Sequence, residues 1–251
     1  MTDLAGNHAL VTGGGTGIGA AIALSLVKAG AKVTIAGRRE GPLDNVAAQA
    51  DNIKPVPADV TDEGSVEALF EAARAAFGPI TIVIANAGAA ESAPLARVDL
   101  AHWQRMLAVN LTGVFLTCRA GLKDMREGGW GRIVTVASTA GLKGYAYAAP
   151  YCAAKHGVIG LTRALAAETA NENITVNAVC PGFAETPLLE ASIRNIVQKT
   201  SRTEEEARAA LANPQGRLVQ PEEVAETVLW LCAAGSRSLT GQAISISGGE
   251  A

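Results

Sequence analysis

Seven short apolar runs alternate with longer stretches at helical period, and this order constrains the chain more than any other feature. The runs are HALVT (8–12), KVTIAG (32–37), KPVPA (54–58), ITIVIANAG (80–88), RIVTVAS (132–138), ITVNAVC (174–180) and QAISIS (242–247). Between them, apolar residues recur at helical spacing over 17–30, roughly 40–50, 60–78, 99–125, 151–170 and 221–234. Strands that are apolar throughout, rather than alternating, are buried on both faces, and crossovers of this length join parallel neighbours with a right-handed turn. The expected fold class is therefore α/β, a doubly wound parallel sheet of seven strands with helices on both faces. No linker, repeat or low-complexity tract divides the chain, so residues 1–251 are expected to form one domain. Its single compositional break is the charged stretch 185–217, too polar to be core. That stretch is expected to form a helical lid over the carboxyl ends of the strands, where open α/β sheets bind ligands.

Composition narrows the function. Lys and Arg total 21 against 24 Asp and Glu, 49% of residues are hydrophobic, and only 4% are aromatic. A chain this apolar is not disordered, and it lacks both the clustered positive charge and the stacking surfaces that nucleic acid calls for. Cys118, Cys152, Cys180 and Cys232 stand far apart with no paired spacing, so neither a metal nor a disulfide framework is expected. The start, MTDLAGNH, lacks the basic and apolar regions of a secretion signal, and no stretch reaches the ~20 apolar residues that span a bilayer. The expectation is a soluble cytoplasmic protein.

The first run leads straight into Thr12-Gly13-Gly14-Gly15-Thr16-Gly17-Ile18-Gly19 and a helix. Glycines there permit a tight turn and close approach of the backbone to a pyrophosphate, and the helix N-terminus offers unpaired N–H groups. A purely structural turn would look the same in a chain with 27 glycines. At the end of the second run an acid would favour NAD and a cation the 2′-phosphate of NADP. The sequence there is Ala36-Gly37-Arg38-Arg39, which favours NADP(H) over NAD(H), although a solvated arginine pair is a common loop feature. Asp59, followed by Val60, stands where it could accept from an adenine amino group or simply cap a turn.

Tyr151 and Lys155 lie four apart at the start of a long helical stretch, on one face. An ordinary phenol titrates near ~10, and a neighbouring ammonium draws that value toward neutrality. Many helices contain such a pair. Here it follows Ser138, at the carboxyl end of the fifth run, which could donate to a carbonyl oxygen or merely cap a turn.

With Asn86-Ala87-Gly88, Asn110 and Pro181-Gly182 added, the ordered set resembles the short-chain dehydrogenase/reductase family over almost the whole length, in its compact Rossmann-like form. One departure is Ala85, where the family usually has a second Asn before Asn-Ala-Gly. The resemblance implies that Tyr151 exchanges a proton with the substrate oxygen and that Ser138 holds that oxygen. Lys155 would bind the nicotinamide ribose and tune the phenol. Asn110, within the 99–125 helix, would hold a water linking Lys155 to solvent, although a local kink would also suit an Asn there. It further implies that Gly13, Gly15, Thr16, Gly17, Ile18, Gly19, Arg38, Arg39, Asp59, Val60, Asn86, Ala87 and Gly88 hold the cofactor. Pro181, Gly182 and Thr186 would contact its carboxamide. A homotetramer built on the 99–125 and 151–170 helices is implied as well.

The substrate wall is expected from 139–150 and the lid. Leu142, Tyr145 and Tyr147 make the first stretch apolar, and Lys143 is its only cation. Arg194, Lys199, Arg202, Arg208 and Arg217 could attract a coenzyme A or carrier-protein arm, or form a solvated face balanced by Glu204, Glu205 and Glu206. The runs 149–158 and 177–183 resemble ketoreductases of polyketide and 3-oxoacyl-thioester metabolism, which favours a β-keto thioester or related cyclic ketone. A general carbonyl or sugar-alcohol dehydrogenase using NAD(H), or a dinucleotide-sensing regulator without catalysis, are the alternatives. His102 and His156 are read as packing or surface residues.

Overall fold

The computed structural model describes residues 2–251. β1 (His8–Thr12), β2 (Lys32–Gly37), β3 (Ile53–Pro57), β4 (Ile82–Ala85), β5 (Gly131–Val136), β6 (Ile174–Pro181) and β7 (Ala243–Ile246) form one sheet in the order 3-2-1-4-5-6-7. Every neighbouring pair is parallel. The absence of polar alternation in the runs has a direct cause. On successive strands Leu10, Val83, Ile133 and Val176 pack toward one layer of helices, whereas Val11, Ile84, Val134 and Val179 pack toward the other. Both faces are dry, and each buried aliphatic side chain contributes about 1.5–3 kcal/mol relative to exposure.

α1 (Gly17–Lys28), α2 (Glu40–Ala47) and α9 (Pro221–Cys232) supply the second layer; α3 (Glu63–Phe77), α5 (Gly113–Gly128) and α6 (Ala149–Glu168) supply the first. The strand order reverses between β1 and β4, and the connections leaving their carboxyl ends run to helices in opposite layers, the place at which such sheets bind ligands. Asp124 of α5 braces this frame at 6% exposure, accepting from Arg74 Nε and from the Ile80 N–H, each at 2.9 Å.

Three sequence expectations need correction. The helix expected over 99–125 is broken into α4 (Leu100–Leu107), a wide π-helical turn (Ala108–Thr112) and α5. Asn110, fully buried in that turn, donates Nδ2 to the Met106 carbonyl at 3.0 Å and so competes with the regular helical ladder. The strand expected over 80–88 ends at Ala85, because the N–H groups of Asn86 and Ala87 both turn to the Thr12 hydroxyl at 3.1 Å. The 185–217 stretch is not wholly polar inside. It forms α7 (Pro187–Lys199) and α8 (Glu204–Ala209), whose amphipathic faces bury Leu189, Ile193 and Ala207 against Leu218 in a small core of their own.

Among the described residues no helix is long and apolar enough to cross a membrane, and no group of three or more His, Cys, Asp or Glu could hold a metal. All four cysteines are buried free thiols.

Candidate active site

The crevice begins at the turn between β1 and α1, which carries Gly13, Gly15 and Thr16. Gly17 takes φ +53°, a left-handed conformation, and a Cβ on Gly19 would lie 2.2 Å from the Gly13 carbonyl oxygen. Neither position tolerates a side chain. Thr16 is the residue before α1 in extended conformation, and its side chain takes none of the first-turn N–H groups. Those of Gly17, Ile18 and Gly19 keep the helix's partial positive charge free for an anion, which fits the pyrophosphate of a dinucleotide. Asn86 stitches the turn to β4 by donating Nδ2 to the carbonyls of Thr12 at 2.8 Å and Gly13 at 3.3 Å.

Beyond β2, Arg38 and Arg39 are exposed and make no ion pair or hydrogen bond among the described residues. Gly37 pairs with Pro57 across the β2–β3 ladder, so Arg38 and Asp59 leave adjacent strand ends together. Asp59 Oδ1 accepts from the Thr61 N–H at 2.9 Å and its hydroxyl at 2.8 Å. These bonds, backbone first, with a smaller contribution from Arg38, hold the carboxyl below the usual range. Asp59 therefore shapes a turn and has only its second oxygen to offer a ligand, while Asp62 caps α3. Val60 is buried, and a Cβ on Gly113 would meet it at 2.8 Å.

At the middle of the crevice, α6 carries Tyr151 in its first turn and Lys155 in the next. Lys155 is 3% exposed; its Nζ donates to the Val136 carbonyl at 2.8 Å and stands 5.6 Å from the Tyr151 ring centroid. Burial pushes this ammonium down to about 8. Burial also raises the Tyr151 phenol, and the Ser138 hydroxyl beside it opposes that only in part. The shift is thus opposite in sign to the one the Tyr151–Lys155 spacing suggested, because desolvation of the phenolate governs it. Ser138 caps the 139–141 turn by accepting the Ala140 N–H at 3.1 Å, which leaves its own proton for donation.

Asn110 faces the same place. Its Nδ2 donates to the Ala89 carbonyl at 2.8 Å and its Oδ1 accepts the Ala89 N–H at 3.1 Å, clamping the segment after β4. A Cβ on Gly88 would lie 2.8 Å from Asn110 Oδ1 and 3.8 Å from Lys155 Nζ, so no bulk fits there. Pro181 closes β6 and Gly182 donates its N–H to Ile246. Thr186 caps α7 by accepting the Leu189 N–H at 3.3 Å, and its Cγ2 lies 2.9 Å from where a Gly17 Cβ would stand. The outer side is narrowed where Asn195 of α7 donates to Ser92 Oγ at 3.3 Å.

The cations expected over the substrate divide into two sets. Arg208 is taken by Glu190 and Glu185, and Arg217 by Glu223, whose carboxyl that pairing holds down to about 2. Arg194, Lys199 and Arg202 make no ion pair among the described residues. Lys143 is also paired, with Glu250 at 3.1 Å, and Tyr145 donates to the same carboxylate oxygen at 2.5 Å. Sequence reasoning passed over Glu250 and Thr139; Glu250 stands 105 residues from Tyr145 and no spacing links the two.

A family model described as short chain dehydrogenase matches residues 7–196. The cis-4-hydroxycyclohexanecarboxylate dehydrogenase of Sinomonas cyclohexanicum is 42% identical, with 96% of this chain and 95% of that protein aligned. The 3-oxoacyl-[acyl-carrier-protein] reductase of Vibrio cholerae is 37% identical over 98% of each. Among solved structures, a point variant of actinorhodin polyketide ketoreductase with NADPH superimposes with a TM-score of 0.94 at 39% identity, covering 97% of this chain and 96% of that one.

Proposed function

The chain belongs to the short-chain dehydrogenase family, and from that premise we propose that it is an NADP(H)-dependent ketoreductase acting on a 3-oxoacyl thioester or a related cyclic ketone. That it is an oxidoreductase interconverting a ketone and a secondary alcohol with a nicotinamide dinucleotide follows from the family and its named dehydrogenases and reductases. The observation that carries the rest is the meeting of Ser138, Tyr151 and Lys155 at the carboxyl edge of the sheet, beside the glycine turn.

When bound, the dinucleotide supplies or takes the hydride at its nicotinamide ring. The chain's own residues handle the oxygen and the proton. Ser138 donates to the substrate oxygen and steadies the negative charge that develops there. Tyr151 delivers its phenolic proton to that oxygen in reduction and takes it back in oxidation. Its burial keeps the phenol protonated at neutral pH, which suits a proton donor. Lys155, still mostly charged at neutral pH, holds the ribose hydroxyls and favours the phenolate left after transfer. Asn110 orients the segment at Gly88 and Ala89, and through a water it serves proton return to Lys155. Gly13, Gly15, Thr16, Gly17, Ile18 and Gly19 cradle the pyrophosphate, and Asn86, Ala87 and Gly88 form the wall behind it. Arg38, with Arg39 beside it, takes the 2′-phosphate; Asp59 and Val60 border the adenine. Pro181, Gly182 and Thr186 border the carboxamide.

Arg194, Lys199 and Arg202 are the free cations that could receive a coenzyme A or carrier arm; Arg208 and Arg217 are already neutralised. Assembly is proposed as a homotetramer through α4–α5 and α6. The test is oxidation of NADPH and of NADH against 3-oxoacyl thioesters and cyclic ketones. Reduction with NADPH preferred is expected. A preference for NADH overturns the coenzyme reading, and tight NADPH binding with no turnover of any ketone favours a sensor.

A further inference from the structure

The segment 139–150 joins Ser138 to Tyr151, the two residues assigned to the substrate oxygen. It contains one cation, Lys143. A free ammonium there would anchor a substrate carboxylate. Instead, Lys143 Nζ lies 3.1 Å from Glu250 Oε1 and donates to the Glu250 backbone carbonyl at 3.2 Å. Tyr145 donates to the same Oε1 at 2.5 Å and shares a 2.7 Å hydrogen bond with Thr139, the neighbour of Ser138. The Tyr145 ring meets Phe183 edge to face, centroids 5.8 Å apart, which joins this network to the loop after Gly182. Glu250 Oε2 is buried with no donor and lies 3.1 Å from the Cβ position of Gly182. The wall therefore carries no net positive charge, and its one buried side-chain atom without a partner is a carboxylate oxygen.

We propose that Glu250 sets the charge class of the substrate: by holding Lys143 it withdraws the cation beside the reaction site, so that uncharged ketones are accepted and free oxo acids are turned away. The proposal rests on the ketoreductase reading. A carboxylate approaching this wall would find an ammonium already neutralised, with the buried Glu250 carboxylate behind it, whereas a thioester or ester carbonyl brings no charge to be opposed.

The test compares kcat/KM for ethyl 3-oxobutanoate and for 3-oxobutanoate, with NADPH, in wild type, in Glu250→Gln and in Glu250→Gln with Lys143→Ala. The Gln amide oxygen can still accept from Tyr145, and Lys143 keeps its bond to the backbone carbonyl of residue 250, so the wall keeps its shape while the Lys143 charge is no longer neutralised. Wild type should prefer the ester by about tenfold or more, a factor worth about 1.4 kcal/mol. Glu250→Gln should shrink that preference about tenfold, through a lower KM for the anion, and the double variant should restore it. Butanoate binding by calorimetry without coenzyme should follow the same order and reads the effect even if turnover is lost. Equal use of ester and anion by wild type would overturn the inference, as would an unchanged ratio together with unchanged butanoate binding in Glu250→Gln. Failure of wild type to reduce either compound would sink the ketoreductase reading, and the inference with it.

Discussion

Asn110 is the residue whose removal the structure prices most directly. It is fully buried and makes three hydrogen bonds to the backbone, two with Ala89 and one to the Met106 carbonyl, besides a 4.0 Å bond to Met106 Sδ. At about 1 kcal/mol net per bond, Asn110→Ala should cost about 3 kcal/mol, more if the Met106 carbonyl is left dry. In a chain of this length that is a fall of about 6–12 °C in Tm. Asn110→Asp, nearly the same shape, should do worse at neutral pH. One carboxylate oxygen would face the carbonyl oxygens of Ala89 and Met106 where an amide now donates to both. Burial and those two dipoles raise the folded-state pKa of that Asp above its unfolded value near ~3.9. The stability of Asn110→Asp is then greatest at low pH, where a proton replaces the lost donor, and falls as pH rises through the raised value. Urea unfolding of the three proteins at about pH 5 and about pH 8 measures this. A wild-type-like midpoint for Asn110→Asp at both pH values would refute the clamp.

Two other perturbations probe different parts of the molecule. A Cβ at Gly37 would meet only Leu43 Cδ2, at 3.7 Å, so Gly37→Asp fits; combined with Arg38→Ala it should move the NADPH/NADH ratio of kcat/KM toward NADH by about tenfold or more, and an unchanged ratio would contradict the role of Arg38. His8 is 2% exposed, with Nδ1 2.9 Å from the Gly78 carbonyl and Nε2 2.9 Å from the Thr34 hydroxyl. Burial lowers its pKa, so its contribution to stability is full above the unfolded value of 6.5 and is lost as pH falls through the lowered folded value. His8→Gln should therefore flatten the loss of stability between about pH 7 and about pH 5; parallel curves for the two proteins would show that His8 is not its source.

The sheet was legible because its signal is local. β1 and β2 begin and end where their apolar runs do, and burial on both faces explains why those runs do not alternate. The glycine turn, Ser138, Tyr151 and Lys155 could be placed on one edge because each follows a strand's carboxyl end. What escaped depends on partners distant in sequence. The π-helical turn carries Asn110 onto Ala89, 21 residues away, a contact that no helical periodicity records. The pairing of Lys143 needs Glu250 from beyond β7. The direction of the Tyr151 shift is set by burial, a property of the packed core, whereas its spacing from Lys155 suggested the opposite sign.

The mechanism turns on the Tyr151 phenol donating the proton to a ketone held by Ser138 beside a bound nicotinamide. Single-turnover oxidation of NADPH by ethyl 3-oxobutanoate in wild type and Tyr151→Phe tests it most directly, with NADPH affinity measured on the same samples. Removing the hydroxyl should cost about 10²–10⁴-fold in the chemical step, with NADPH bound nearly as tightly as before. Turnover by Tyr151→Phe within about tenfold of wild type would contradict it.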